Sequence, residues 1–284
     1  MRGLIRRATR LLERRRLSLV RRCLVCGAAV WVADLTQASD ERRTCRMGIC
    51  TKCGHVSNPE NVHDFRQYKN VTDMVLKPRV GTADRPGREF FMAQMAIDIL
   101  GRGDIDVLVY SAGRSLDNHH IAKLPTVRSV AISDVVRLRD DAEFLDSSQP
   151  APRRFPVVVA SEVIEHFLNP REDFERLFGF VEPDGLLVCS TNVYDGGNLR
   201  RQSYIYTRGH TSYYTPASLA ELARANGWLV DLRVPLSSTG YAGPRKRYVL
   251  FTASPAVQAA IVEYFRDREY APSEPPWESE AAAH

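Results

Sequence analysis

The sequence predicts an α/β fold in which a three-layer, mostly parallel sheet ends in an antiparallel hairpin and is preceded by a small metal-stapled ribbon. Three observations carry this. From residue 88 onward helical and strand-like apolar patterns alternate. The last two apolar runs flank a loop containing Gly240, Gly243 and Pro244 and can pair as a hairpin. Residues 23–53 hold two Cys-x-x-Cys pairs.

Taken in order, Ala28-Ala-Val-Trp-Val-Ala33 between the cysteine pairs reads as a strand, and the ribbon spans residues 23–60. Residues 61–87 carry Pro78, Gly81, Pro86 and Gly87 among polar residues and read as a connecting segment. Arg88–Leu100 keeps apolar residues on one helical face and stops at Gly101. Ile105–Tyr110, Val127–Ile132 and Phe155–Ala160 read as strands, the last apolar throughout, as a parallel strand buried on both faces must be. Asn169 is placed to cap a helix with Pro170 first and Glu172 third, in which Phe174, Leu177, Phe178 and Val181 repeat at helical spacing. Pro183-Asp-Gly185 turns the chain into strand Leu186–Ser190. Thr215-Pro216 opens a helix that Gly227 closes, and Leu229–Val234 and Tyr248–Ala253 form the hairpin. The α/β domain spans residues 88–254, followed at 255–284 by a C-terminal helix and a loose acidic tail.

The 284 residues are 44% hydrophobic and 26% charged, which excludes a disordered or fibrous chain. The net charge of +5 is unevenly placed: residues 1–22 hold nine Arg against Glu13, which leaves the body at −3. Only five of the 39 basic residues are Lys, so Arg abundance alone says little, and nucleic-acid binding by the body is disfavoured. The basic segment keeps Leu4, Ile5, Ala8, Leu11 and Leu12 on one helical face, a form that suits an anionic membrane surface or an acidic partner. An Arg-rich organelle presequence, or a solvated helix docked on its own domain, has the same look. No apolar run reaches the roughly 18 residues of a membrane span, so a cytoplasmic location, peripheral at the membrane if the segment attaches, is expected.

Cys23-Leu-Val-Cys26-Gly and Cys50-Thr-Lys-Cys53-Gly are two knuckles that can aim four thiolates at one ion while backbone N–H groups support the sulfurs. Cys23, Cys26, Cys50 and Cys53 are therefore the expected ligands of a structural zinc; iron fits the same knuckles, and disulfides or free thiols are the alternative in a chain without an export signal. Cys45 and Cys189 are spare, Cys189 in an apolar run that points to the core.

Phe155-Pro-Val-Val-Val-Ala-Ser-Glu-Val-Ile-Glu-His-Phe-Leu-Asn-Pro170, followed by Val181-Glu-Pro-Asp-Gly-Leu-Leu-Val-Cys-Ser-Thr-Asn192, resembles the fourth-to-fifth-strand region of class I S-adenosylmethionine-dependent methyltransferases. His210-Thr-Ser-Tyr-Tyr-Thr-Pro-Ala-Ser-Leu219 resembles their late substrate-side region, and Cys50-Thr-Lys-Cys-Gly-His-Val-Ser-Asn-Pro59 is similar to the zinc-binding lead-in of the branch that methylates sugars and other small metabolites. The resemblance implies a Rossmann-like sheet, S-adenosylmethionine as cofactor and a small, sugar-like acceptor. The aligned first loop, Val109-Tyr-Ser-Ala-Gly-Arg-Ser115, departs from the family: Val109 stands where an acid is usual, and Gly113 is the one glycine kept, with Ser111 and Ser115 in place of its neighbours. Asp134, about twenty residues past Gly113, matches the acid that binds both ribose hydroxyls, and Ser161 and Glu162 join the implied cofactor set. Between Asp134 and Phe155 there is little room for the usual helix and strand, so the adenosine-side wall is expected to be trimmed, which puts Asp146 in doubt as an adenine-side residue.

Methyl transfer needs an acceptor held in line and a base if the acceptor arrives protonated. His210 and His166 fall where the family places active-site residues, and either is a candidate base, with a structural histidine as the plain alternative. His119 and His120 read as solvent-exposed, while Tyr204, Tyr206, Tyr213 and Tyr214 can line an acceptor pocket or fill the core. The expected function is methyl transfer from S-adenosylmethionine to a sugar-like acceptor. The alternatives are a degenerate methyltransferase fold kept as a scaffold, favoured by the altered first loop, and an RNA methyltransferase, weakened by the acidic body.

Overall fold

The computed structural model describes residues 22–70, 72, 79–239 and 245–274. The basic N-terminal segment, apart from Arg22, and the tail beyond Glu274 lie outside the described residues, as does the expected hairpin loop around Gly240 and Gly243.

Two sheets organise these residues. The larger has seven strands: β4 (Ile105–Tyr110), β5 (Val127–Asp134), β6 (Glu143–Asp146), β7 (Phe155–Ser161), β8 (Val181–Val193), β10 (Leu229–Arg233) and β11 (Arg245–Thr252), in the spatial order β10-β11-β8-β7-β4-β5-β6. Strands β4 to β8 run parallel, and β11 returns antiparallel between β8 and β10. The chain starts this sheet at the centre, winds outward to β6, then crosses to the other side of β4, so the order reverses between β4 and β7. In such sheets the crevice beyond the carboxyl ends of the strands at the reversal is where ligands bind. Every residue of β4 and β7 is buried, as expected of apolar strands covered on both faces.

Helices α1 (Arg88–Leu100) and α6 (Pro255–Tyr264) cover one face, and α3 (Pro170–Phe178) and α5 (Pro216–Ala225) the other. Thr215 opens α5 in a reciprocal cap: its Oγ accepts the Ser218 N–H at 3.0 Å and the Ser218 Oγ accepts the Thr215 N–H at 2.9 Å. The start of α3 differs from the expectation. Pro170 takes the first position, but Asn169 makes no side-chain cap; its backbone N–H instead donates to Asp173 Oδ2 at 2.9 Å. Strand β8 also exceeds its sequence signal, because Pro183-Asp-Gly185 is absorbed into an irregular register against β7. A Cβ on Gly185 would stand 2.8 Å from the Pro156 carbonyl oxygen, so only glycine permits that approach. Between β5 and β6 residues 135–142 form no helix, while β6 keeps its parallel pairing: the strand survives and the helix is lost.

The smaller sheet is antiparallel, in the order β1 (Val30–Gln37), β2 (Asp40–Cys50), β3 (Val56–Ser57), β9 (Ser212–Tyr213). Its hairpin runs well past the single expected strand, and its last strand comes from the far side of the chain. Val56 pairs with Tyr213 and Ser57 with Ser212. Asn58 Nδ2 donates to the Ile205 carbonyl at 2.9 Å, and Arg171 Nε donates to the Val25 carbonyl at 2.7 Å. Leu35, Met47 and Val56 pack with Leu199, Tyr204, Ile205, Tyr206 and Tyr213 in one apolar cluster. The cysteine-bearing segment and the α/β body therefore share both a sheet and a core.

Candidate active site

Chain geometry at the carboxyl ends of β4 and β7 is unusual at two non-glycine residues. Ser111, just past β4, has φ of 56°, and Glu162, just past β7, has φ of 57°. Left-handed backbone at a non-glycine residue is costly and tends to sit at ligand-binding turns. Both lie at the reversal point of the sheet.

On the β4–β5 side, Ser111, Ala112 and Gly113 offer little side chain, and Gly113 also has a positive φ of 53°. The Gly113 N–H donates to Asp134 Oδ2 at 3.2 Å, and the Val135 N–H donates to Oδ1 at 2.7 Å. Burial pushes the Asp134 carboxyl up to about 6 although both N–H groups favour the anion. A carboxylate has about four acceptor positions, and these two bonds leave two for other donors. A small cleft lies against this loop, lined among others by Gly113, Asp134, Arg139 and Phe144. Arg139 closes its rim: its guanidinium reaches the Ser115 carbonyl, Asn118 Oδ1 at 2.6 Å and Asp141. The Ser115 hydroxyl itself turns inward, donating to Glu89 and Asp117, each at 3.2 Å. Asp146 is tied into its own turn, accepting the Ser148 N–H at 2.8 Å and its hydroxyl at 2.6 Å.

The β7 side is charged. Glu162 pairs with Lys246 of β11 and with Arg88 at the start of α1, the latter at 3.5 Å, and accepts the Ser190 hydroxyl at 3.1 Å. Burial alone would raise this carboxyl, but the two cations outweigh it and hold it down to about 2. Ser161 faces Ser190, hydroxyl to hydroxyl, at 3.0 Å. One turn on, Glu165 is fully buried, accepting the Tyr204 hydroxyl at 2.6 Å and the Thr191 hydroxyl at 3.3 Å. Burial, and then the charge of Glu162, raise it to about 7.

His166 and His210 come together here from segments 44 residues apart, their ring centroids 5.0 Å from each other and edge-on. His166 Nδ1 donates to the Gly209 carbonyl at 2.8 Å, which leaves Nε2 as the lone-pair nitrogen. His210 is 7% exposed, and its Nδ1 is buried without a hydrogen-bond partner. Burial, helped by His166, lowers its pKa to about 3, so its ring is neutral. Asn61 Nδ2 donates to the His210 carbonyl at 3.0 Å, which ties the histidine to the segment following β3. The sequence therefore led to both histidines and to Glu162. Glu165, Arg88 and Lys246 went unmarked, although Glu165 stands between two marked residues and the scarcity of lysine makes a buried one notable. Of the four tyrosines, Tyr204 adjoins the site; Tyr206, Tyr213 and Tyr214 are buried in the core. His119 and His120 lie elsewhere, bonded to Asp141 and to the Thr82 carbonyl.

The four paired cysteines converge behind α3 and α5. Cys23 Sγ is 3.6 Å from Cys53 Sγ, and Cys26 Sγ is 3.4 Å from Cys50 Sγ; all six cysteines are free thiols, so no disulfide competes. Four sulfurs at ~2.3 Å around one ion stand about 3.8 Å apart, close to these spacings. The N–H groups of Val25, Lys52 and Cys53 point at the sulfurs from 3.3 to 3.4 Å, and Gly27 and Gly54, at φ of 73° and 70°, make the knuckle turns. The donor set and spacing fit a tetrahedral thiolate centre. Cys45 and Cys189 lie apart from it, Cys189 fully buried in β8.

The fold is α/β with a mostly parallel sheet, and the candidate site residues gather at the point where its strand order reverses. Residues 97–232 match the family model described as a methyltransferase domain. Among solved structures the chain is similar to the 1,6-didemethyltoxoflavin-N1-methyltransferase of Burkholderia thailandensis, bound to 1,6-didemethyltoxoflavin and S-adenosylhomocysteine, at 22% identity and a TM-score of 0.44, over 57% of this chain and 78% of that one. It is also similar to the plantazolicin methyltransferase BpumL in complex with a triazolic desmethylPZN analog and SAH, at 13% identity and a TM-score of 0.44, over 57% and 82%. No curated protein matches the chain. Among the described residues no helix is long and apolar enough to cross a membrane.

Proposed function

We propose that the chain methylates a hydroxyl of a small, sugar-like acceptor, with the cofactor along β4 and β5 and the acceptor against β7, Glu165 and the two histidines. The observation that carries this is the placement, at one end of one sheet, of a carboxylate with two acceptor positions to spare at Asp134 and a buried, unpartnered ring nitrogen at His210. In this reading Asp134 accepts the two ribose hydroxyls, and Ser111 to Gly113 let the backbone approach the methionine part. The cofactor, when bound, supplies an electrophilic methyl group on a sulfonium. His210 presents its unpartnered Nδ1 to the acceptor's hydroxyl, His166 is fixed beside it by Gly209, and Lys246 and Arg88 keep Glu162 ionised at the wall between cofactor and acceptor. Cys23, Cys26, Cys50 and Cys53 would hold one structural zinc, leaving no open position for substrate.

Calorimetry with S-adenosylmethionine and with S-adenosylhomocysteine tests the cofactor half, and methyl transfer to a panel of hydroxyl-bearing small molecules, sugars first, tests the acceptor half. Binding lost in Asp134→Ala, and turnover lost in His210→Ala with cofactor affinity kept, are the expected results. If neither ligand binds at millimolar concentration, the catalytic reading fails and the fold serves as a scaffold.

A further inference from the structure

Glu165, His166 and His210 each offer one donor atom, and the three donors lie within 4.8 Å of one another. We propose that these three side chains form a second metal centre, distinct from the cysteine knuckles, that binds a divalent first-row ion and presents it to oxygen atoms of the acceptor.

Several independent observations point the same way. Two imidazoles and one carboxylate are a donor set suited to divalent zinc, iron or cobalt, and three protein ligands leave positions open for substrate. Two of the three donors are also oriented from behind, as metal ligands characteristically are. The Gly209 carbonyl receives the His166 Nδ1–H and so turns Nε2 into the donor nitrogen. Tyr204 and Thr191 clamp the Glu165 carboxylate, and Asn61 holds the His210 backbone. His210 Nδ1, buried without a partner, is a polar atom whose desolvation is otherwise uncompensated. Donors at ~2.1 Å from one ion stand up to about 4 Å apart, so small side-chain rotations close the site.

Neither nearby cation forms an ion pair with Glu165 among the described residues. Lys246 and Arg88 are both engaged with Glu162, which makes Glu165 the carboxylate left for an ion. The inference deepens the reading of the acceptor site and rests on it for its role: an acceptor with two neighbouring oxygens, such as a vicinal diol, would chelate the ion. Coordination would lower the pKa of the bound hydroxyl, and its proton would leave to solvent.

The test uses the full chain, stripped of metal and titrated with cobalt(II). Thiolate-bound cobalt gives an intense near-ultraviolet charge-transfer band, and cobalt on nitrogen and oxygen donors gives only weak visible bands, so the two centres report separately. Two equivalents are expected, the second without the thiolate band and absent in both His166→Ala and His210→Ala, with the thiolate band retained as proof that those variants fold. Glu165→Gln, which keeps shape and an acceptor for Tyr204, should weaken the second site at least tenfold. One equivalent only, or a second equivalent unchanged in both histidine variants, would overturn the proposal. Calorimetry with S-adenosylmethionine on the same samples separates this outcome from a failure of the cofactor reading, since cofactor affinity should be unaffected by either histidine substitution.

Discussion

Asp134, at the end of β5, accepts the backbone N–H of Gly113 at 3.2 Å, so one carboxylate both shapes the loop after β4 and faces the cleft that the loop borders. Burial holds its pKa at about 6. Below that pH the group is protonated and one of its oxygens becomes a donor, which spoils a site meant to accept two ribose hydroxyls. S-adenosylmethionine affinity should therefore rise with pH through 6 and be roughly tenfold weaker at pH 5 than at pH 7.5. The measurement is a titration series across that range. Asp134→Asn should bind weakly at every pH, and a wild-type affinity flat from pH 5 to 7.5 would refute the assignment.

Glu162 should matter more for stability than either of its partners. Replacing it by Ala strands Lys246 and Arg88 beside each other in a largely buried place, whereas Lys246→Met leaves Glu162 with Arg88. Because the Glu162 side chain keeps 27% exposure, solvent takes up part of the loss. We expect Glu162→Ala to cost roughly 2–3 kcal/mol and Lys246→Met less than half of that. Urea unfolding monitored by fluorescence would rank them, and the reverse order would show that the lysine carries the pair.

Asp117 is fully buried at the start of α2 (Asp117–Ile121) and works as a remote cap for α1, accepting the Gly87 N–H at 2.6 Å and the Glu89 N–H at 3.1 Å. Asp117→Ala leaves both donors orphaned at a helix start and should cost about 2–3 kcal/mol. Asp117→Asn keeps one accepting oxygen and should recover part of the loss. Thermal unfolding of the two variants decides it, equal melting temperatures being the adverse result.

Substituting Cys50 and Cys53 together by Ser should remove the thiolate-bound metal, at about one equivalent per chain, and lower stability by several kcal/mol. Elemental analysis with circular dichroism checks both effects. A variant that folds as before without its metal would deny the centre its structural role.

Much of this was legible because the signals are local. Phe155–Ser161 is an unbroken apolar run and became a central strand; Thr215-Pro216 is a helix start in any context; two Cys-x-x-Cys turns need only each other. The misses have non-local causes. Asp40–Cys50 carries Asp40, Glu41, Arg42, Arg43 and Arg46 and so hides its strand, because much of it is exposed and its pairing comes from β1 across a turn. The cap expected of Asn169 lost to Asp173, a competition among side chains that spacing does not reveal. Glu165 escaped notice because its special character comes from Tyr204 and Thr191, neither of them its neighbour in sequence.

The pairing of Val56 with Tyr213 joins residues that the chain separates by more than half its length. Closing so large a loop demands that the intervening chain be ordered first or at the same time, which makes the β3–β9 contact a late event and slows assembly. It also sets where the gene can be cut. A fragment covering residues 88–254 would retain the whole seven-stranded sheet, yet expose β9 as an unpaired edge and release His210 from Asn61. Such a fragment would keep Glu165, His166 and His210 in its sequence and still lose the contact that ties His210 to the segment following β3.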